Sequence, residues 1–129
     1  MAVLIDTSVL VAVERGVLTL EALIEPEAEY AISAVTVGEL LHGVLRARGK
    51  VAQTRSAFVE GVLNSLAMVP VDMPVARAYA HAAAILSAEG IPVNPNDLWI
   101  GATAIATGME VLALDGDFQR IPGVRVVST

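Results

Sequence analysis

The sequence predicts an α/β fold, a three-layer α/β/α sandwich with a mainly parallel central sheet. Short runs rich in Val and Ile alternate along the chain with longer stretches in which apolar residues recur at helical spacing, an order typical of parallel sheets. Hydrophobic residues make up 55% of the chain but aromatic residues only 4%, so the core must consist of Ala, Val, Leu and Ile. The 129 residues are enough for one domain and too few for two ordinary ones, and we expect a single domain over residues 1–129.

Strands are predicted where a short apolar run is bounded by polar or turn-forming residues. These runs lie at residues 2–5, 30–32, 68–71, 110–114 and 124–127. The first run is followed by Asp6, Thr7 and Ser8 before apolar residues resume, which fits a fully buried strand. Thr7 or Ser8 is then expected to cap a helix that starts near Val9.

Helices are predicted where apolar residues recur every three to four positions between start and stop signals. The predicted helices lie at residues 9–15, 20–28, 35–48, 51–66, 75–88 and 95–107, with a turn or short helix at 115–120. Pro26 interrupts the second of these. The sixth has Asn94 as its cap and Pro95 at its first position, which are strong start signals. Glycines are expected to end helices at positions 16, 49, 90 and 108.

The composition excludes several classes of function. The chain has no Cys, which rules out disulfides, thiolate zinc sites and a cysteine nucleophile, and it has no Gly-rich phosphate loop. Its apolar runs are too short to span a membrane and no segment resembles a signal peptide, so we expect a cytoplasmic protein.

Half of the basic residues lie close together although the net charge is −6. Four of the eight Lys and Arg side chains are Arg46, Arg48, Lys50 and Arg55. Basic side chains at a helix end interact favourably with the helix dipole, which explains the cluster without a function. Alternatively, the cluster forms a basic strip that meets phosphates on an otherwise acidic protein.

Asp6 is the acidic residue on which the functional hypothesis depends. It interrupts a buried strand pattern and lies at the carboxyl end of a strand, where open α/β sheets place their ligand sites. Ending the strand and supporting the turn would be its structural role, but a functional role explains its position better.

Glu39 has two interpretations that the sequence leaves open. It follows Thr36 at the spacing of a capping box, in which its carboxylate turns back onto the start of the helix. If the helix starts at Ser33 instead, Glu39 lies in the second turn and is free to point away from the helix.

Further aspartates lie at the ends of predicted elements. Asp97 is in the first turn of a helix, where the dipole favours a carboxylate, and the small residues Gly101 and Ala102 beside it would leave room for a ligand. Asp115 follows a buried strand as Asp6 does. Asp117 could share its site or cap the short helix that follows.

The acids at these element ends are expected to meet at one edge of the sheet, because the carboxyl ends of parallel strands lie together. They are Asp6, Glu39, Asp97 and Asp115. Crowded carboxylates repel one another, so their pKa values should rise unless a cation compensates. Oxygen ligands without Cys or a His pair suit Mg²⁺ or Mn²⁺. Clustered acids that hold two such ions are typical of enzymes that cleave phosphodiester bonds with metal-activated water.

Four segments in this order resemble the PIN-domain ribonucleases, specifically the VapC toxins of type II toxin–antitoxin pairs. The segments are VLIDTSVL, ISAVTVGELLHGV, NDLWIGATAIA and LALDGDFQRIPGVRVV. Each is weak alone, but the ordered set covers essentially the whole chain. The resemblance implies a PIN-like fold and an endoribonuclease that depends on Mg²⁺ or Mn²⁺ and acts as the toxin of its pair.

The resemblance also implies roles for individual residues. The metal ligands and catalytic acids would be Asp6, Glu39, Asp97 and Asp115, with Asp117 as an auxiliary metal ligand. Thr7 or Ser8 would support Asp6. One position departs from the family, because a Ser or Thr often stands two residues before the fourth acid and here it is Ala113. We expect lower metal affinity or different surrounding contacts from this change rather than an inactive protein.

The partners that the resemblance implies are an RNA substrate, a cognate VapB-like antitoxin whose tail covers the acidic groove, and a second copy of the chain in a homodimer. Arg46, Arg48 and Lys50 are then candidate contacts to the RNA backbone.

Two other classes of function stay open. A non-catalytic PIN-like module would bind and regulate a partner without cutting RNA, and a metal-dependent cleavage assay separates it from a nuclease. A phosphoryl-transfer domain of the haloacid-dehalogenase type would use Asp6 as a covalent acceptor. Such domains carry a second Asp where this chain has Ser8.

Overall fold

A parallel sheet of four strands lies at the centre of the part of the chain that this computed structural model describes, residues 1–127. The strands are β1 (Ala2–Ile5), β2 (Glu29–Ser33), β3 (Ala67–Val69) and β4 (Glu110–Leu112), in the spatial order β3-β2-β1-β4. Each pair of neighbours is parallel. The chain therefore builds the sheet outward from β1 to β3 and then returns to add β4 on the other side of β1.

Five α-helices connect the strands within residues 1–127. They are α1 (Thr7–Glu14), α2 (Ala34–Arg46), α3 (Gly49–Ser65), α4 (Met73–Glu89) and α5 (Pro95–Thr107). Two short 3₁₀ turns, Leu20–Ala22 and Asp117–Arg120, lie in the connections. None of the helices in this part of the chain is long and apolar enough to cross a membrane.

Successive side chains of the strands enter two separate hydrophobic clusters. The first cluster contains side chains of the sheet together with residues of α4 and α5, among them Leu4, Val111, Leu86 and Ile100. The second contains the alternate strand residues together with residues of α1, α2 and α3, among them Val3, Ile5, Leu10, Leu40 and Val59. Because neighbouring residues of a strand point to opposite faces, helices cover both faces of the sheet. This arrangement confirms the predicted α/β/α sandwich.

Most predicted elements have the predicted type, and their ends follow local chemistry. Asn94 caps α5 by accepting a hydrogen bond from the backbone N–H of Asn96 at 2.9 Å. Gly90 and Gly108 follow α4 and α5 with φ angles of +68° and +73°, which glycine adopts without steric cost. Gly49 does not end α2 as predicted. It is the first residue of α3, and two extended residues separate it from the end of α2 at Arg46.

The predicted cap of the first helix was wrong. Thr7 and Ser8 lie inside α1, and Asp6 caps the helix by accepting a hydrogen bond from the backbone N–H of Ser8 at 3.1 Å. Asp is as good an N-cap as Ser or Thr, so the helix starts at the first residue after β1 that can be helical. The strand and the helix therefore share Asp6 as their junction.

Two other predicted elements are much shorter in the structure. Residues 20–28 form only the 3₁₀ turn Leu20–Ala22, because Pro26 lacks the N–H that a longer helix would use. Residues 124–127 do not form a full strand, and a single bridge joins Val126 to Val111 of β4. The chain turns at Pro122 and Gly123 before it reaches β4. Residues 125 and 127 then form hydrogen bonds with Val111 of that strand.

Gly101 of α5 is buried against the segment that follows β4, which corrects the prediction that it leaves room for a ligand. A Cβ atom placed on Gly101 would lie 3.0 Å from Ile121 Cδ1 and 3.1 Å from Val124 Cγ2. The neighbouring Ala102 is fully buried as well. Small residues are needed here because a helix packs closely against two branched side chains.

We expect Gly101→Leu to lower the free energy of unfolding by about 2–3 kcal/mol, because overpacked cores lose stability of this order. Urea denaturation measures the effect. Gly61→Leu is the matched control, because Gly61 also lies inside a helix but a Cβ atom there meets nothing within 4 Å. Equal stability of the two variants would contradict the close packing at Gly101.

Candidate metal centre

Asp6 lies at the point where the order of the sheet reverses. β1 pairs with β2 on one side and with β4 on the other, although β4 is the last strand within residues 1–127. The carboxyl ends of such neighbouring strands leave a crevice in which open α/β sheets bind ligands. Asp6 follows directly after β1 and is buried, with only 2% of its surface exposed.

Two hydrogen bonds hold the segment after β4 beside Asp6. The backbone N–H of Asp6 donates to the carbonyl oxygen of Leu112, the last residue of β4, at 2.8 Å, which continues the ladder past the end of β1. The backbone N–H of Leu114 donates to Ser8 Oγ at 3.1 Å. Because Leu114 directly precedes Asp115, these bonds bring the second acid of the sheet edge next to the first.

Glu39 points away from the start of its own helix. Ser33 caps α2, since its hydroxyl oxygen accepts the backbone N–H of Thr36 at 3.0 Å. The capping-box interpretation of Glu39 is therefore excluded. Instead, Thr7 Oγ1 donates to Glu39 Oε1 at 2.6 Å, so a hydroxyl of α1 fixes the direction of this carboxylate.

Asn96 connects Glu39 to the first turn of α5. Its side-chain amide Nδ2 donates to Glu39 Oε2 at 3.2 Å. Both oxygens of Glu39 thus have donors, one from α1 and one from α5. Asp97 follows Asn96 directly, and this contact therefore brings the third acid to the same place.

The four acids that the sequence singled out share one cavity of about 440 Å³. Its acidic lining residues are Asp6, Glu39, Asp97 and Asp115. Asp97, Asp115 and Asp117 form a tighter group, in which one carboxylate oxygen of each lies within 4.8 Å of the others. Asp117 also pairs with Arg120 at 3.7 Å on the exposed side of this group. Asp97 and Asp115 belong to both sets.

Burial and mutual repulsion raise the pKa of two of these acids, as the sequence predicted for crowded carboxylates. Desolvation is the main cause for Asp6, whose pKa lies above its usual range despite hydrogen bonds from Ser8, and the charge of Asp115 raises it further. The pKa of Asp97 rises to about 7, first because of desolvation. All the other acids of the site add to this rise, in the order Asp115, Asp6, Asp117 and Glu39. Asp97 is therefore close enough to each of the other four acids to be affected by its charge.

The residues fit a hard divalent cation. Asp6 Oδ1 is buried and has no hydrogen-bond donor within residues 1–127. A buried carboxylate oxygen without a partner costs free energy that a bound cation would recover. The available donor atoms are carboxylate oxygens, which Mg²⁺ and Mn²⁺ prefer.

Several supporting residues were not recognisable as such in the sequence. Asn96 looked like part of a helix start, and only its position opposite Glu39 gives it a role. Arg15 follows α1 and also lines the cavity of the acids. Ala113, which the sequence had already marked as the position that departs from the family, packs against the first hydrophobic cluster.

Comparison with known proteins agrees with the fold. The sequence profile of the PIN domain matches residues 3–124. Ribonuclease VapC4 of Mycobacterium tuberculosis is 33% identical over 129 residues, covering 97% of this chain and 95% of that protein. Ribonuclease VapC5 of the same organism is 37% identical over 124 residues, with coverage of 95% and 90%. The crystal structure of VapBC-5 from M. tuberculosis, a member of the VapBC family of toxin–antitoxin systems, matches with a TM-score of 0.79 and 32% identity over 97% of this chain and 98% of that one.

The match over residues 3–124 shows that the chain belongs to the PIN domain family, whose sheet carries the acidic cavity at its switch point in this chain. Its relatives identify a subgroup of that family. The two VapC proteins match this chain over nearly their full length, so the chain belongs to the VapC branch that its four sequence segments predicted.

Proposed function

We propose that this protein is a metal-dependent endoribonuclease that acts as the toxin of a toxin–antitoxin pair. The observation that carries the proposal is that acids from separate elements line one cavity with Asp6, whose buried Oδ1 has no hydrogen-bond donor within residues 1–127. The relatives named as VapC ribonucleases support RNA as the substrate.

Asp6, Glu39, Asp97 and Asp115 would hold Mg²⁺ or Mn²⁺, with Asp117 as an auxiliary ligand. The bound cation supplies positive charge that activates water for attack and stabilises the charge of the phosphodiester during cleavage. Thr7 and Asn96 orient Glu39 by donating to both of its oxygens. Asp97, whose pKa is about 7, gives up its proton more readily once the charges of the other acids are compensated.

The proposal includes a partner and an assembly. A VapB-like antitoxin would cover the acidic cavity and keep RNA out, and the toxin would form a homodimer. The similar structure of VapBC-5, a member of the VapBC family of toxin–antitoxin systems, supports such a partner. Both the RNA and the antitoxin would be met in the cytoplasm.

RNA cleavage by the purified protein is expected to require added Mg²⁺ or Mn²⁺, because uncompensated acids at the site repel the phosphodiester. Treatment with EDTA should lower the rate by at least about a hundredfold, and excess Mg²⁺ should restore it. Fragment patterns of a labelled single-stranded RNA measure the rate and distinguish internal from terminal cuts. Metal-independent cleavage, or no cleavage by metal-loaded protein, would contradict the proposal, and the second result would favour a non-catalytic binding module.

A further inference from the structure

Arg15 lies where three cavities of the surface meet. The first is the cavity of the acids, which Arg15 lines together with Asp6 and Asp97. The second lies between α1, α2 and α3, where Arg15 and Arg46 are both lining residues. The third is lined by Arg15 and Lys50. A path of basic side chains therefore leads away from the acidic site.

These three cations are free to bind a ligand, and a fourth is not. Arg15, Arg46 and Lys50 are exposed and form no ion pair within the described part of the chain. In contrast, Arg55 donates from Nε to Glu14 Oε1 at 2.6 Å and from a terminal nitrogen to the carbonyl oxygen of Gly43 at 3.1 Å. Arg55 thus connects α3 to α1 and α2. Within the basic cluster of the sequence, Arg55 has a structural role.

Arg15 remains unpaired although it borders a cavity with four acids. Its position after α1 is favourable for the helix dipole. The dipole accounts equally for Arg46 in the last turn of α2, but it does not account for Lys50, which lies in the first turn of α3. Because Asp6 and Arg15 cap the two ends of α1 and are nine positions apart, their Cα atoms are about 13 Å apart along the helix. That span corresponds to a few nucleotides of an extended strand.

The rest of the charge distribution opposes the approach of a polyanion. The chain has a net charge of −6, and the cleavage site would be lined with carboxylates. Cations on the border of the site offset this repulsion where the strand passes. A guanidinium group is well suited to this role, since it binds phosphate oxygens in pairs.

We propose that Arg15 binds an RNA phosphate a few nucleotides from the cleaved bond and that Arg46 and Lys50 continue the contact along the strand. We call these three residues the basic track. This inference depends on the proposed function for its substrate. It assigns Arg15 as a positioning residue, which holds the strand and does not take part in the bond cleavage.

The test measures binding of a single-stranded oligouridylate in the presence of Mg²⁺, with Asp6→Asn in the background so that the RNA stays intact. Arg15→Gln is expected to weaken binding about tenfold and to reduce the slope of log K against log salt by about 0.7, the effect of one lost phosphate contact. Arg15→Lys should keep the slope and recover part of the affinity, because it keeps the charge but not the paired hydrogen bonds. In the cleaving protein, Arg15→Gln should raise KM more than it lowers kcat.

Arg77→Gln is the matched control. Arg77 is an exposed residue of α4 that lines none of the three cavities, so its loss removes the same charge from another surface. Equal affinities and salt slopes for the Arg15 and Arg77 variants would overturn the basic track. The basic track would also be overturned if Arg15→Gln weakened binding of a polyglutamate peptide of the same charge as much as it weakens binding of the RNA. Such a result would indicate a surface that binds anions in general.

Cleavage by the wild-type protein separates this inference from the proposed function. If the wild type cuts RNA and Arg15→Gln changes nothing, only the basic track is wrong. If the wild type does not cut RNA but binds it through Arg15, the track stands and the proposed activity is wrong. A protein that neither binds nor cuts RNA overturns both.

Discussion

Asp6→Asn is expected to abolish RNA cleavage, with a loss of at least about a thousandfold, while the protein stays folded. Asn has nearly the same shape and is as good an N-cap as Asp, so it should still accept the backbone N–H of Ser8 and start α1. It removes the negative charge from the buried Oδ1, the atom that has no donor within the described residues. Losing a charged ligand of a hard cation costs several kcal/mol of transition-state stabilisation, and each 1.36 kcal/mol is about a tenfold change in rate.

The experiment compares cleavage rates, together with growth arrest when the protein is expressed in cells. Asp72→Asn is the matched control, because Asp72 caps α4 by accepting the backbone N–H of Val75 at 3.2 Å. It makes the same chemical change at a helix cap outside the acidic cavity and should leave cleavage intact. A folded Asp6→Asn protein that cuts RNA at the wild-type rate would show that Asp6 does not hold the reacting cation.

The sequence predicted the acids of the sheet edge well because their positions follow from local rules. Asp6 and Asp115 each come after a short buried strand, and parallel strands must bring such residues to the same edge. The sequence did not show, however, that β1 and β4 are direct neighbours in the sheet. That pairing depends on a long crossover through α4 and α5, which no local pattern specifies.

Glu39 shows why some assignments need the tertiary structure. Two possible starts of α2 fitted the sequence, at Ser33 and at Thr36, and each gave the carboxylate a different direction. The structure selects Ser33, because its hydroxyl caps the helix and Thr36 then lies in the first turn. The donors of Glu39 come from α1 and α5, so no local pattern around residue 39 could have identified them.

Gly101 shows where the sequence-based interpretation was wrong. Small residues beside Asp97 suggested space for a ligand, but the space is filled by Ile121 and Val124 from a later segment. Composition shows that a helix can approach another element closely, and it does not show which element approaches. The acidic cavity lies instead along α1, beside Glu39 of α2 and Asp97 of α5.

Asp97→Asn is expected to stabilise the metal-free protein at neutral and alkaline pH although it removes a ligand of the proposed site. The pKa of Asp97 is about 7 in the folded protein and 3.8 in the unfolded chain. Between these values the folded protein binds a proton that the unfolded chain has released, so stability falls as the pH rises from about 4 through about 7. Above that range the wild type carries the full cost of a charged Asp97, which the variant lacks. Because the side chain is only half-buried, we expect a gain of about 1–2 kcal/mol, or roughly 3–6 °C in Tm, at pH 8.

Melting temperatures of the two proteins in EDTA, measured from pH 4.5 to pH 8, test this sign. The difference should be small at the acid end and grow with pH, whereas Glu60→Gln, at an exposed position of α3, should show no such trend. Saturating Mg²⁺ should reverse the order, because the cation stabilises the wild type through the charge that the variant has lost. A variant that is less stable than the wild type at pH 8 without metal would mean that the charge of Asp97 is compensated within the protein. The acids would then need no cation to share the cavity, and the physical argument for a metal centre would fail.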